Sequence, residues 1–245
     1  MPEGTIINKK NITEYLARQI IGGQLKYNEI IPNEIDFAAK FGVSRTMIRD
    51  VLKNLEMKGL IERKTNVGTR VRNIQSWNLL DEEVLNWSAG LLTQNRFLLS
   101  LLELRLIVEP QAAALAAVRA NDSDLQLISE NFALMWNSEM PGNEVTLNTE
   151  ADIAFHKAII KASGNLFISQ IGGAIQAALH HTIYLSNKAN IDHKKSLDCH
   201  RRVLTAIENR NSEGAYAGMC CVLQNTIADI GLQSTGVILS DFSGM

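Results

Sequence analysis

Apolar residues recur at helical spacing along most of the chain, and one short basic stretch departs from that rhythm. In "NITEYLARQIIGG", Ile12, Leu16, Ile20 and Ile21 share a face and Gly22-Gly23 stops the helix. "IPNEIDFAAKFG" predicts a shorter helix. Asn33 is placed to cap it, Glu34 and Asp36 suit its positive first turn, and Ile35, Ala38 and Ala39 are expected to pack inward. Gly42 can take the left-handed conformation that ends a helix sharply. Ser44 can cap a third helix, with Ile48, Val51, Leu52 and Leu55 on its buried stripe and Arg45, Thr46 and Arg49 outside it. The departure is "LIERKTNVGTRVR", which reads as two short strands around a turn at Thr65–Gly68.

Residues 73–87, "NIQSWNLLDEEVLNW", form a connector with its own amphipathic turn, where Trp77, Leu80, Val84 and Trp87 are packing candidates between two domains. From residue 95 onward every long segment has helical period. "RFLLSLLELRLIVEPQAAALAAVRA" is an apolar helix that Pro110 should kink near Leu106, because the carbonyl there loses its donor. A helix restarts at Asn121–Asp124 and runs to about Glu139; "MPGNE" is a loop; further helices are expected at 144–163, 166–187, 194–210 and 212–232. The end, "STGVILSDFSGM", has no period. The fold class is mainly α, with an N-terminal domain over 1–73, a linker and connecting helix over 74–94, a bundle of six or seven helices over 95–233, and a tail over 234–245.

Composition adds a partner. The 245 residues are 46 % hydrophobic and 20 % charged, with no apolar run of signal-peptide or membrane-spanning type, so a soluble, cytoplasmic chain with no membrane partner is expected. The net charge of −2 hides an asymmetry. Residues 1–73 hold 13 Lys/Arg against 8 Asp/Glu, a net +5, while the remainder hold 11 against 18, a net −7. A basic end on an acidic body points to nucleic acid. Cys199, Cys220 and Cys221 are an odd count without C-x-x-C spacing, and are expected to be free thiols in a reducing cytosol.

Helix, tight glycine turn, and a helix with basic residues near its start make the arrangement that enters a DNA major groove; a basic hairpin after it is a wing. Arg45 and Arg49 suit a guanine edge or a phosphate, and the Ser44 and Thr46 hydroxyls suit either. Gly68 lets the wing backbone approach the minor groove, with Lys64, Arg70 and Arg72 available to phosphates. Lys53, two turns down, is left for a phosphate or for solvent.

"IPNEIDFAAKFGVSRTMIRDVLKNLEMKGLIERKTNVGTRV" resembles the winged helix-turn-helix of the GntR family of bacterial transcription regulators. The resemblance implies DNA contacts at the positions of Ser44, Arg45, Thr46, Arg49 and Gly68. One position departs: the family usually has arginine, often a further DNA contact, where this chain has Ile35.

Beyond the linker three features are unusual. Glu103, Arg105 and Glu109 lie in an otherwise apolar helix, where charges are costly unless paired. Asp152 and His156 are four apart in "ADIAFHKAII" and so lie on one helical face, and His200 sits near the start of another amphipathic helix. By residue type alone they are a surface pair, a satisfied core histidine, or a carboxylate and two imidazoles that converge on a divalent metal such as Zn²⁺, Ni²⁺ or Mn²⁺.

"ELRLIVEPQAAALAA", "ADIAFHKAIIKASGN" and "LDCHRRVLTAI" resemble the effector domain of the FadR-type branch of that family, the all-helical FCD fold. The resemblance implies a metal held by Asp152, His156 and His200. The usual fourth ligand, a histidine, falls at Val222, with Asn225 three residues on. Arg105 matches an arginine that can pair with an effector carboxylate. The connector looks like that of regulators of sugar-acid catabolism, which implies an aldonate or uronate as effector. The expected function is a homodimeric repressor on a palindromic double-stranded DNA operator, released by that carboxylate. The alternative is a metal-dependent enzyme using the Asp152/His156/His200 cluster; no general base or nucleophile stands beside it, so no enzyme is expected.

Overall fold

The computed structural model describes residues 7–64, 67–88, 91, 95–138, 145–172 and 193–231. Part of the expected 65–68 turn, the 140–144 loop, the later part of the 166–187 helix and the 234–245 tail lie outside those residues. The chain divides into two units, Met1–Leu91 and Leu92–Met245, and its described residues are mainly helical with one small sheet.

In the first unit, α1 (Lys9–Ile21) starts at Asn8, whose side chain accepts the Asn11 N–H at 2.9 Å. It buries Ile12, Leu16, Ala17, Ile20 and Ile21. After the two-residue strand β1 (Ile30–Ile31), α2 (Glu34–Phe41) is capped by Asn33, whose Oδ1 accepts from the Ile35 and Asp36 N–H groups at 2.8 and 3.1 Å. Gly42, at φ 66°, ends it in the left-handed conformation. α3 (Arg45–Met57) follows at once, with the Ser44 hydroxyl accepting the Met47 N–H at 3.2 Å and Ile48, Val51, Leu52 and Leu55 buried.

The inward face of α2 differs from the expected one. Phe37, Ala38 and Phe41 are buried, whereas Ile35 is 56 % exposed and Ala39 is exposed too. Two phenylalanines four residues apart offer far more apolar area than Ile35 and Ala39, and their rings stack at 5.9 Å. They decide which face turns in.

The hairpin pairs β2 (Ile61–Lys64) with β3 (Gly68–Val71), antiparallel, with Lys64 opposite Gly68. Gly68 has φ 101°, a conformation that favours glycine. β1 joins the other edge of β3, Ile30 opposite Arg70, giving the order β1-β3-β2. Two residues carry no readable alternation, so this strand was not foreseen.

The connector folds onto the end of α3. Its helix α4 (Glu82–Trp87) is capped by Asp81, and Val84, Leu85 and Trp87 are buried while Leu80 is exposed. The Lys58 ammonium donates to both Asp81 oxygens at 2.6 and 2.7 Å and lies 5.4 Å from the centre of the Trp87 ring. The Trp77 indole N–H donates to the Arg72 carbonyl at 3.1 Å.

The second unit contains α5 (Asn95–Arg119), α6 (Asp122–Ser138), α7 (Val145–Ala162), a further helical stretch at 166–172, α8 (His193–Glu208) and α9 (Ser212–Asp229). α5 runs as one element with Pro110 inside it. Its Ala112, Ala113, Ala116 and Ala117 are fully buried, α9 packs on α5, and α9 also packs on α8. Among the described residues no helix is long and apolar enough to cross a membrane.

The cysteines correct an expectation. Cys199 on α8 and Cys221 on α9 form a disulfide, and only Cys220 is a free thiol. The packing of α8 on α9 brings the two Cα atoms to 5.9 Å, within bridging range. Residue spacing along a chain does not display such a contact.

Candidate functional site

In the first unit the start of α3 carries the residues foreseen as a reading head. Ser44, Arg45, Thr46 and Arg49 are all exposed, and Ser44 also serves as the helix cap. Arg45 and Lys53 make no ion pair among the described residues. Arg49 is engaged: its Nε lies 3.3 Å from both Glu34 oxygens and its Nη2 donates to Oε2 at 3.1 Å. Glu34, at the first turn of α2, therefore aims the Arg49 guanidinium across the turn. In the sequence that glutamate registered only as a favourable first-turn charge. On the wing, Lys64 pairs with Glu62 at 3.1 Å, and Arg70 donates to the Asn28 carbonyl at 2.9 Å. Ile35 stands exposed at the start of α2, where its side chain adds no charge.

In the second unit α7 and α8 bring Asp152, His156 and His200 together. All three are buried, and one ligand atom from each lies within 4.8 Å of the others. Asp152 Oδ1 is 3.2 Å from His156 Nε2 and 3.4 Å from His200 Nε2. A third helix joins them. Glu109, on α5, sets Oε2 2.5 Å from His156 Nδ1, an ion pair rather than an aligned hydrogen bond. Its Oε1 accepts from Arg105 Nε at 2.6 Å. Arg105 is fully buried and gives a second, longer contact to Glu109, so it braces that carboxylate. Glu109 was visible in the sequence as a costly charge, and its signal was the Arg105–Glu109 spacing of four in an apolar helix. The partner on α7 was not readable.

Burial opposes the charged forms of Glu109, Asp152 and His156, yet the neighbouring charges win. Glu109 is held down at about 2, against its burial, by Arg105 and then His156. Asp152 is held well below the usual carboxylate range by His200 and His156. Burial disfavours the His156 imidazolium, but Glu109 and Asp152 more than offset it and push the group up to about 9.

The same atoms fit a cation. Asp152 Oδ1 and His200 Nε2 are buried and have no hydrogen-bond partner. His200 Nδ1 faces the Ser196 carbonyl at 2.8 Å; a proton there leaves Nε2 with its lone pair toward Asp152. A proton on His156 Nδ1, beside Glu109, does the same for that ring. One carboxylate oxygen and two imidazole nitrogens form a donor set suited to Zn²⁺, Ni²⁺ or Mn²⁺. Val222 is a buried apolar side chain on α9 and offers no ligand. Asn225 directs its amide N–H to Cys199 Sγ at 3.2 Å.

Comparison with known proteins agrees with both halves of this picture. The model described as "Bacterial regulatory proteins, gntR family" matches residues 8–71, and that of the FCD domain matches residues 100–225. The chain is 30 % identical to the uncharacterized HTH-type transcriptional regulator YieP of Escherichia coli (strain K12), over 87 % of this chain and 91 % of that protein. It is 31 % identical to the galactonate operon transcriptional repressor of the same strain, over 86 % and 91 %. The fold is shared with the solved structure of Lar, described as controlling expression of the Listeria monocytogenes agr system, at a TM-score of 0.64 and 19 % identity, covering 94 % of this chain and 100 % of that one. These relatives are transcription regulators, which removes the metal-dependent enzyme as an alternative. A winged helix-turn-helix over the first match and a helical domain with an Asp–His–His cluster over the second place this chain in the GntR family of bacterial regulatory proteins, among the members that carry an FCD domain.

Proposed function

We propose that the protein is a cytoplasmic, homodimeric repressor whose two α3 helices and wings read a palindromic operator, and that a small carboxylate releases it. In this reading Arg45, Thr46 and Arg49 meet base edges or phosphates, Ser44 caps the helix beside the backbone, and Gly68 carries the wing close to the DNA. Asp152, His156 and His200 would hold a divalent metal in the helical domain, at the place where the effector would bind. When bound, such an ion supplies a positive charge that attracts carboxylate and hydroxyl oxygens. The chain's own residues do the rest: Glu109 sets a carboxylate against His156 Nδ1, Arg105 balances Glu109, and Asp152 keeps one oxygen toward the two imidazoles. Arg105, foreseen as a direct partner of the effector, would act through Glu109 instead.

The observation that carries this reading is the pair of buried, unpartnered atoms, Asp152 Oδ1 and His200 Nε2, facing one another from two helices. An aldonate or uronate is the effector class favoured, because a relative at 31 % identity is by name the repressor of the galactonate operon. Effector binding lowers DNA occupancy only if the ligand prefers the DNA-free geometry, a population shift.

The test is a thermal-shift screen of metal-loaded protein against aldonates, uronates and other small carboxylates, followed by operator release. A hit should raise the melting temperature by mass action, displace DNA, and disappear in His156→Ala. Metal-free protein as isolated, with no uptake of Zn²⁺, Ni²⁺ or Mn²⁺, would retire the metal. A carboxylate that stabilises the protein and tightens operator binding would retire the release mechanism.

A further inference from the structure

The Cys199–Cys221 disulfide joins two helices at a place that matters for the cluster. Cys199 directly precedes His200 on α8, and Cys221 directly precedes Val222 on α9. The helices are close here: a Cβ on Gly218, one turn before Cys221, would lie 2.9 Å from Val203 Cγ2 and 3.1 Å from the Val203 nitrogen. The two helices thus leave no room for an added methyl group one turn from the disulfide and from His200. Asn225, one turn beyond Cys221, ties the same contact through its bond to Cys199 Sγ.

The two sulfurs occupy different surroundings. Cys199 is 3 % exposed, whereas Cys221 is half-buried and lines an open groove of about 470 Å³ together with Arg202, Thr205 and Asn209. A small oxidant can therefore reach Cys221 but not Cys199. Stable disulfides are also rare in the reducing compartment where a bacterial regulator meets its DNA, and those found there are mostly transient or redox-sensing.

We infer that Cys199 and Cys221 are a reversible thiol–disulfide couple, oxidised by a peroxide through the groove, whose state sets the placement of His200 and so the cation affinity of the Asp152/His156/His200 cluster. In the forward direction the Cys221 sulfur attacks hydrogen peroxide. The O–O bond breaks, an S–O bond forms, and one water leaves. The Cys199 sulfur then displaces the oxygen of that sulfenic acid as a second water, and the S–S bond forms. Two thiols have lost two electrons to one peroxide. A small dithiol reverses the step by exchange, returning both thiols and leaving as its own disulfide. The effect on cation affinity rests on the metal reading proposed above; the movement of His200 does not.

The test uses full-length protein, reduced with dithiothreitol, freed of it, and treated or not with stoichiometric hydrogen peroxide. Peptide mapping should show a Cys199–Cys221 cross-link only after peroxide. The imidazole NMR signal of His200, assigned through His200→Gln, should shift between the two states in the wild type and stay fixed in Cys221→Ser and in Cys199→Ala. Ni²⁺ titration should give dissociation constants differing by about tenfold or more between the states, the size seen when a ligand's support is altered. Absence of the cross-link, pairing through Cys220 instead, or a His200 signal indifferent to redox state overturns the couple. If Ni²⁺ binds neither state while the His200 signal still shifts, the metal reading falls and the couple stands.

Discussion

Glu109 on α5 places a carboxylate oxygen 2.5 Å from His156 Nδ1 on α7, while its other oxygen accepts Arg105 Nε at 2.6 Å. Each of these groups would be costly to bury alone. Together they form a chain of alternating charge that runs from Arg105 through Glu109 and His156 to Asp152, with His200 Nε2 3.4 Å from Asp152 Oδ1. Three helices are thereby held in one register around the cluster.

Replacing Glu109 by Gln keeps the volume and removes the charge. The buried ion pair with Arg105 is then lost, and breaking such a pair typically costs about 3–5 kcal/mol. His156 also loses the group that fixes its tautomer, so Ni²⁺ or Zn²⁺ affinity should drop by about 10–100-fold. Urea denaturation and calorimetric titration measure the two effects. Unchanged metal affinity would reject Glu109 as an orienting group.

The metal-free protein should lose stability as pH rises. His156 is pushed up to about 9 from an ordinary 6.5, so the stabilisation from its charged form is complete below about pH 6.5 and is lost as pH passes through about 9. Glu109 behaves oppositely: held near 2, it stabilises above its ordinary 4.5, and that contribution fades only as pH falls through about 2. Denaturant midpoints of chelator-treated protein between pH 6 and 9.5 should therefore decline, and His156→Gln should flatten the slope. Equal slopes in the two proteins would contradict the assignment.

At the reading head, Arg45→Ala should weaken operator binding by about 1–3 kcal/mol if it reads a base edge; if it grips a phosphate, the salt slope should instead fall by about one. Glu34→Gln tests a different idea. It releases the Arg49 guanidinium without removing it, so it should relax discrimination among operator variants more than it weakens binding overall. Gel-shift titrations against a matched and a mutated operator separate the cases. Wild-type behaviour in Glu34→Gln would show that the Arg49–Glu34 contact does not matter for DNA.

Ile35 is exposed beside α3, so Ile35→Arg should be tolerated by the fold. If α2 lies against the duplex, the new cation should tighten operator binding and steepen its dependence on salt by about 0.9 in the log–log slope. A melting temperature within error of wild type and an unaltered slope would place Ile35 away from the DNA.

Much of the helical architecture could be read directly. The stripe Ile48, Val51, Leu52 and Leu55 needed only its spacing, and the caps at Asn33, Ser44 and Gly42 needed only local backbone chemistry. The errors share a cause. Apolar character alone points Ile35 and Ala39 inward, but Phe37 and Phe41 compete for the same core with larger surfaces, and a helix can turn only one face in. β1 is too short to carry a pattern and exists because β3 offers it an edge.

The Asp152–His156 spacing also announced itself, because residues four apart on a helix must share a face. Residue type makes His200 a candidate beside them, but only the placement of α8 brings it to them. Glu34 under Arg49, Glu109 beside His156, and Cys199 against Cys221 were beyond reach: each pair lies on different helices, separated by 15, 47 and 22 positions.

By itself the sequence determined which of the described segments are helical, where the caps at Asn33, Ser44 and Gly42 fall, the basic character of the N-terminal domain and the family to which the chain belongs. Those properties depend on neighbours within a turn or two, or on residue identity alone. Tertiary structure decided which face of α2 is core, which acid aims Arg49, which carboxylate orients His156, and which two of three cysteines meet. Such choices follow from how helices dock, and docking is settled by competition among whole surfaces rather than by any one residue's spacing.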